Sequence, residues 1–292
     1  MPILIDFHPY VISSVAVVFD KKDYASKTIK TNIKEVVLRM ILKVQKKFPE
    51  YGEVILCTDS KTYWRKNVFK YYKGNRKAQK ESSDLDWDVV HEVIDELKRD
   101  LREHFRYKLI EVEGAEADDI IAVLTKHFAN IPVVGFDRSN EVLIVAGDGD
   151  FFQLQKYGTV KQWTPRFQKF LTPSVPLHEY MIEHIVRAGD DGIPNILSGD
   201  NYLVDKIRQH AIKKPYLQKF IEHGRDACTT DLERKNWDRN QQLVDFDFIP
   251  QHISSKILDI YNNYEVTGNR KKIMDYIMKS GMIGILDDLS TF

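Results

Sequence analysis

Cysteine is scarce in this chain. Two residues, Cys57 and Cys228, stand far apart among 292. No disulfide framework and no CxxC zinc spacing can be built from them, and Cys57, inside an apolar run, reads as a buried thiol. No apolar run approaches the roughly 20 residues that a membrane span needs. The opening "MPILIDFHPY" has no basic segment and reaches an acid at Asp6, so it does not read as a signal peptide. The expectation is a chain that stays in a reducing cytoplasm and meets no membrane. Net charge is missing too: 43 Lys and Arg balance 43 Asp and Glu. Charge therefore says nothing about partners until it is placed along the chain. There are no internal repeats and no low-complexity linker.

The chain does have enough apolar material, 43% of its residues, for a real core. Three short apolar runs share one grammar. "ILID" ends at Asp6, "VILCTD" at Asp59, and "VLIVAGDGD" at Asp148 and Asp150. Helical patterns lie between them: one over 32–48, one after the cap signal Ser82-Ser83-Asp84, and one in "AEADDIIAVLTKHF". "KLIEVEG" reads as a further strand and "TVKQWTPRFQKFLTP" as a hairpin. Strands alternating with helices predict an α/β fold with a mostly parallel central sheet flanked by helices. Ligands gather at the carboxyl ends of such strands, and all three runs put their acids there. From about residue 173 the texture becomes helices and loops. This predicts an α/β domain over 1–175 and a mainly helical domain over 176–292.

Asp148 and Asp150 place two like charges at the mouth of the core, with only Gly149 between them. Asp-Gly is an ordinary turn signal, but other segments bring more acid. "EGAEADD" supplies Glu116, Asp118 and Asp119 at a helix start, where the dipole favours negative charge. "RAGDDGIPN" supplies Asp190 and Asp191 in a turn. With almost no His or Cys nearby, an oxygen-only set suits hard divalent ions, Mg²⁺ or Mn²⁺. So many carboxylates in one cleft would repel without cations. Two ions about 4 Å apart would neutralise them and clamp a phosphodiester for in-line attack by water. Ser60 to Lys80 contains no acid. Its cations, Lys61, Arg65, Lys66, Lys70, Lys73, Arg76, Lys77 and Lys80, alternate with Tyr63, Trp64, Phe69, Tyr71 and Tyr72. Cations track phosphates while bases stack on rings, which predicts a nucleic-acid surface. Trp64 also fits a core position. His8, His178 and His184 show no ligand spacing and read as structural or surface residues.

"AEADDIIAVL", "VAGDGDFFQL" and "GDDGIPN" resemble the motifs of the 5′-nuclease (flap endonuclease) superfamily, most of all its T-even-phage ribonuclease H branch. The resemblance extends through "YWRKNVFKYYKGNRKAQKES", "VKQWTP" and "LVDFDFIPQHISSKILDIYNNY", nearly the whole chain. It implies a PIN-like nuclease fold with a helix-hairpin-helix-like element in the second domain. It implies a site for two Mg²⁺ ions, with Mn²⁺ as a substitute. Asp6, Asp59, Asp118 and Asp148 serve the first ion with Glu116 beside it. Asp150, with Asp190 and Asp191, serves the second. Relatives separate the two acids of that last motif, whereas here they are adjacent. The basic segment, about 60–82, becomes an arch over the site for a single-stranded 5′ end, with Lys73 and Arg76 meeting the scissile phosphate. Lys206, Arg208, Lys213 and Lys214 extend a duplex contact that positions without reading sequence. The implied activity is that of a metal-dependent 5′→3′ exonuclease and flap endonuclease with RNase H activity, removing RNA primers and 5′ flaps in DNA replication. Its substrates are DNA and RNA–DNA hybrids with a 5′ end, flap or fork. It acts as a monomer in the cytoplasm of a bacterial host, helped by a single-strand-binding protein and a sliding clamp, although the N-terminus begins almost at the first strand. A PIN-like ribonuclease or a non-catalytic structure-specific binder shares parts of this pattern. The long arch speaks against the first, and the presence of Asp6, Asp59 and Asp148 against the second.

Overall fold

The computed structural model describes residues 1–18, 27–83, 85–132, 140–188, 190–288 and 291–292. Six strands, β1 (Pro2–Asp6), β2 (Glu53–Thr58), β3 (Lys108–Glu111), β4 (Val142–Val145), β5 (Val160–Thr164) and β6 (Lys169–Leu171), form one sheet in the order β3-β2-β1-β4-β5-β6. Every pair is parallel except the terminal β5–β6 hairpin. From β1 the chain winds outward to β3, then crosses back to lay β4 on the other side of β1. The winding direction therefore reverses between β1 and β4, and such a reversal opens a crevice beyond the carboxyl ends of the strands. Leu4 pairs with both Ile55 and Ile144, so β1, β2 and β4 end level.

The alternation of strand side chains supplies a core to each face. Ile3 and Ile5 point to the face covered by α1 (Phe7–Val18), α2 (Lys27–Lys47) and α5 (Trp87–His104), while Leu4, Ile55 and Ile144 meet α6 (Ala117–Ala129). Two short helices, α3 (Arg65–Val68) and α4 (Arg76–Glu81), lie in the basic segment. The start of α5 differs from expectation. Its N-cap is Asp86, whose carboxylate accepts from the N–H groups of Asp88 and Val89. Asp84 of the expected cap signal lies outside the described residues. The predicted β5–β6 hairpin is present.

A smaller core joins α7 (Leu177–Arg187), α8 (Lys214–His223) and α9 (Asp231–Val244) through Ile182, Ile185, Phe220 and Trp237. Among the described residues 193–213 there are turns but no helix. The division expected after residue 175 does not separate the cores. The last two helices, α10 (Gln251–Asn262) and α11 (Arg270–Ser280), return to the sheet. Ile253 and Ile257 join the core under α6, and Ile273 and Ile277 join the one under α5. Their i,i+4 apolar pairs need a flat apolar surface, and the flanks of the sheet provide it. Among the described residues no helix is long and apolar enough to cross a membrane.

Candidate active site

The crevice collects acids from four elements. Asp6 ends β1, and Asp59 follows β2. Glu116 and Asp118 sit at the start of α6, and Asp148 caps the 3₁₀ stretch Gly149–Tyr157 after β4. Burial, then the charges of Asp59 and Asp148, push the Asp6 carboxyl well above the usual range, against the pull of Lys73 and Arg76. Burial and then Asp6 raise Asp118 in the same way. Burial and then Asp150 raise Asp148. These acids are close enough to feel one another, and among the described residues neither the Asp6 nor the Asp118 side chain has a hydrogen-bond donor. Asp59 is the exception. Burial works against its charge, but His8, then Lys73 and the Ala117 N–H, hold it well below the usual range.

Cations close the crevice from the basic segment. Lys73 pairs with Glu116 and lies 3.7 Å from Asp191, and Arg76 reaches Asp191 at 2.9 Å. The Lys73 N–H donates to the Asp191 carbonyl at 2.6 Å. Both residues hold left-handed backbone, φ 59° and 50°. This conformation costs a non-glycine residue about 1 kcal/mol or more and concentrates at functional sites.

The comparisons with known proteins follow this geometry. Residues 2–180 match the family model of the 5′-3′ exonuclease N-terminal resolvase-like domain, and 179–292 match that of the T4 RNase H C-terminal domain. The chain belongs to the 5′-3′ exonuclease family. It is 30% identical to ribonuclease H of Enterobacteria phage T4 over 99% of this chain and 95% of that protein. It is 31% identical to DNA polymerase I of Caldicellulosiruptor bescii over 49% of this chain but only 15% of the polymerase. The fold is shared with a bacteriophage T5 flap endonuclease in complex with DNA and metal ions (TM-score 0.60, 15% identity, 89% of this chain and 98% of that one). It is shared also with the T5 5′-exonuclease bound to zinc (TM-score 0.58, 16% identity, 91% and 99%).

Within this exonuclease site the donor chemistry fits a divalent cation: hard oxygens, crowded, and in Asp6 and Asp118 without donors. The arrangement is nevertheless not closed around an ion. Among the described residues no three His, Cys, Asp or Glu side chains are grouped to hold one. Lys73, Arg76, His8 and His184 occupy oxygens of Glu116, Asp191, Asp59 and Asp150 instead. The side chain of Asp190 lies outside the described residues, so of the adjacent pair only Asp191 is seen at the crevice.

Several expected nucleic-acid contacts are placed differently. Arg65 is 3% exposed and pairs with Glu116 at 2.9 Å and Asp119 at 2.8 Å. Tyr72 is buried, its hydroxyl donating to Glu116. Neither offers a surface to a nucleic acid here, because a buried carboxylate pair needs donors and these two residues supply them. Trp64 is core, its indole N–H on Asp119. Lys66 and Lys70 are exposed, over the rings of Tyr63 and Tyr71. Lys206, Arg208, Lys213 and Lys214 are exposed as well, and the Lys77 side chain lies outside the described residues.

Two histidines read from the sequence as ordinary are part of the site. His8 Nδ1 lies 3.1 Å from Asp59, with Nε2 3.0 Å from the Thr58 hydroxyl. His184 Nε2 lies 2.9 Å from Asp150, its ring stacked on Tyr180. His178 is exposed. Tyr180 crowds Gly149 as well: a Cβ there would stand 2.5 Å from its hydroxyl. His184 holds one oxygen of Asp150, and where a carboxylate ligates a cation the loss of such a partner commonly costs about tenfold or more in metal affinity. His184→Ala should therefore weaken Mn²⁺ binding in isothermal titration by that factor. His184→Gln, which keeps a side-chain N–H, should recover most of it. Equal affinity in all three proteins would show that Asp150 needs no support.

Proposed function

We propose that this protein is a metal-dependent 5′→3′ exonuclease and flap endonuclease with RNase H activity, a phosphodiester hydrolase that removes RNA primers and 5′ flaps during DNA replication. The observation that carries this reading is the gathering of Asp6, Asp59, Asp118 and Asp148 at the winding reversal of a 5′-3′ exonuclease fold, under a basic segment that puts Lys73 and Arg76 among them. In this reading Asp6, Asp59, Asp118 and Asp148 hold one Mg²⁺, and Asp150 and Asp191 a second. Such ions supply Lewis acidity toward the phosphodiester and lower the pKa of water. Lys73 and Arg76 exchange their carboxylate partners for the scissile phosphate and stabilise the charge that develops on it. Glu116 keeps Lys73 at that place until the phosphate arrives. The described helical residues between Leu177 and Val244 hold the duplex through its phosphates, giving structure selectivity rather than sequence selectivity. A single-strand-binding protein and a sliding clamp are its partners in replication.

A 5′-labelled RNA–DNA hybrid should be cut in Mg²⁺ and left whole in EDTA. Undiminished cutting in chelator removes the reading. The duplex contact has its own test. Lys213→Ala with Lys214→Ala should flatten the plot of log affinity against log salt by about one unit per lost phosphate contact. Single-stranded DNA binding should barely change. An unaltered slope would leave these lysines as solvated surface.

A further inference from the structure

Between the Asp191 turn and α8 the chain exposes apolar side chains among cations. Val204 is 60% exposed and Ile207 59%. Lys206 and Arg208 alternate with them, and Lys213 and Lys214 follow. All four cations are exposed, and among the described residues none of their side chains has a hydrogen-bond or ion-pair partner. The nearby acids are spoken for: Asp200 by Lys235 and Arg239, Asp205 by the Asn201 side chain. The turn is also tied by hydrogen bonds. Asp205 N–H donates to the Asn201 carbonyl and Ile207 N–H to that of Tyr202, both at 2.9 Å. Asn195 and Ser198 pin both the carbonyl and the N–H of His210. Lys206 turns the chain in left-handed backbone, φ 53°. The turn is seated against the active site. Gly192, at φ +75°, is pressed so closely that a Cβ would stand 2.8 Å from Leu203 and 3.3 Å from the Tyr71 carbonyl.

An exposed aliphatic pair on a hydrogen-bonded turn, flanked by unpaired cationic side chains, is complementary to a polyanion with an apolar recess. The minor groove is such a recess: its walls are sugars and its rims are phosphates, and proteins enter it with side chains of this kind. Two side chains are too few for the core of a stable protein interface, which needs about 1,000 Å². We propose that Val204 and Ile207 seat in the minor groove of the duplex beside the active site, with Lys206 and Arg208 on the flanking phosphates. This contact sets which phosphodiester reaches the carboxylates. The proposal rests on the nuclease reading given above and adds to it a residue-level determinant of where the cut falls.

The test uses the full chain carrying Val204→Ser with Ile207→Ser, compared with Val204→Leu with Ile207→Leu and with wild type. Duplex affinity for a 5′-flap substrate is measured in EDTA over a range of salt, and cut positions are mapped in Mg²⁺. The serine pair should bind about tenfold more weakly, the scale of losing two partly buried apolar contacts. The salt slope should stay unchanged because no charge is lost. Its cuts should spread over neighbouring phosphodiesters, and the leucine pair should restore both affinity and position. Wild-type affinity and cut positions in the serine pair would overturn the proposal and leave the surface to a protein partner. A flattened slope with unchanged cut positions would overturn it too, since the loss would then run through charge. Failure of the wild type to cut in Mg²⁺ would instead count against the nuclease reading itself.

Discussion

Asp148→Asn should abolish turnover while leaving nucleic-acid binding and the fold intact. The substitution removes a charge and almost no volume. Asp148 caps the turn after β4, where its Oδ1 accepts from the Asp150 N–H at 3.0 Å. An asparagine carbonyl oxygen takes over that cap. What it cannot supply is the negative charge that, in the proposed site, would help hold a cation whose Lewis acidity toward a phosphodiester is worth several kcal/mol in the transition state. The rate should fall about 1,000-fold or more. A second readout runs the other way. The Asp148 carboxyl is raised by burial and then by Asp150, so its charged form costs stability in the folded state. That cost is absent below the unfolded carboxyl pKa and grows as pH rises through the folded one. In EDTA at neutral pH the variant should therefore melt above wild type, and added Mn²⁺ should stabilise it less. A variant that cuts at near wild-type rate, or gains as much stability from Mn²⁺, would remove Asp148 from the ion site.

The largest effect on stability is expected at Arg65. Its guanidinium is nearly inaccessible, pairs with Glu116 and Asp119, and donates to the Leu243 carbonyl at 2.8 Å. Burial opposes its charge, but Asp119, Tyr72 and Glu116 hold it firmly protonated. Arg65→Ala would strand two buried carboxylates with fewer donors, a class of change that costs about 3–5 kcal/mol. Arg65→Lys should recover less than half of this, because an ammonium cannot replace a planar fork that serves three acceptors at once. Urea unfolding midpoints measure both variants. A loss below about 1 kcal/mol would mean that Arg65 behaves like a surface cation.

Arg65 also shows where the sequence ceases to be readable. In a run of eight cations nothing distinguishes it from Lys66, yet one is core and the other solvent-exposed. Only the fold shows which cation faces Glu116. The three central strands, β1, β2 and β4, were legible because each is a short, nearly unbroken apolar run, as a parallel strand buried on both faces requires. The acids were legible because three of these runs deliver them to the same edge of the sheet. The histidines were not. His184 meets Asp150 only because α7 packs on the turn after β4, and no local pattern records that contact. The docking of α10 and α11 was equally hidden. An i,i+4 apolar pair announces a buried face without naming what buries it.

That docking changes what the helical part is. Since the chain leaves the sheet after β6 and comes back to it at α10, the residues between are held at both ends by one body, as an inserted loop of large size would be. A protein cut after residue 175 would not yield a free-standing nuclease. It would bare the sheet flanks that Ile253, Ile257, Ile273 and Ile277 cover. Any swing of the helical residues between β6 and α10 would have to bend two chain crossings together.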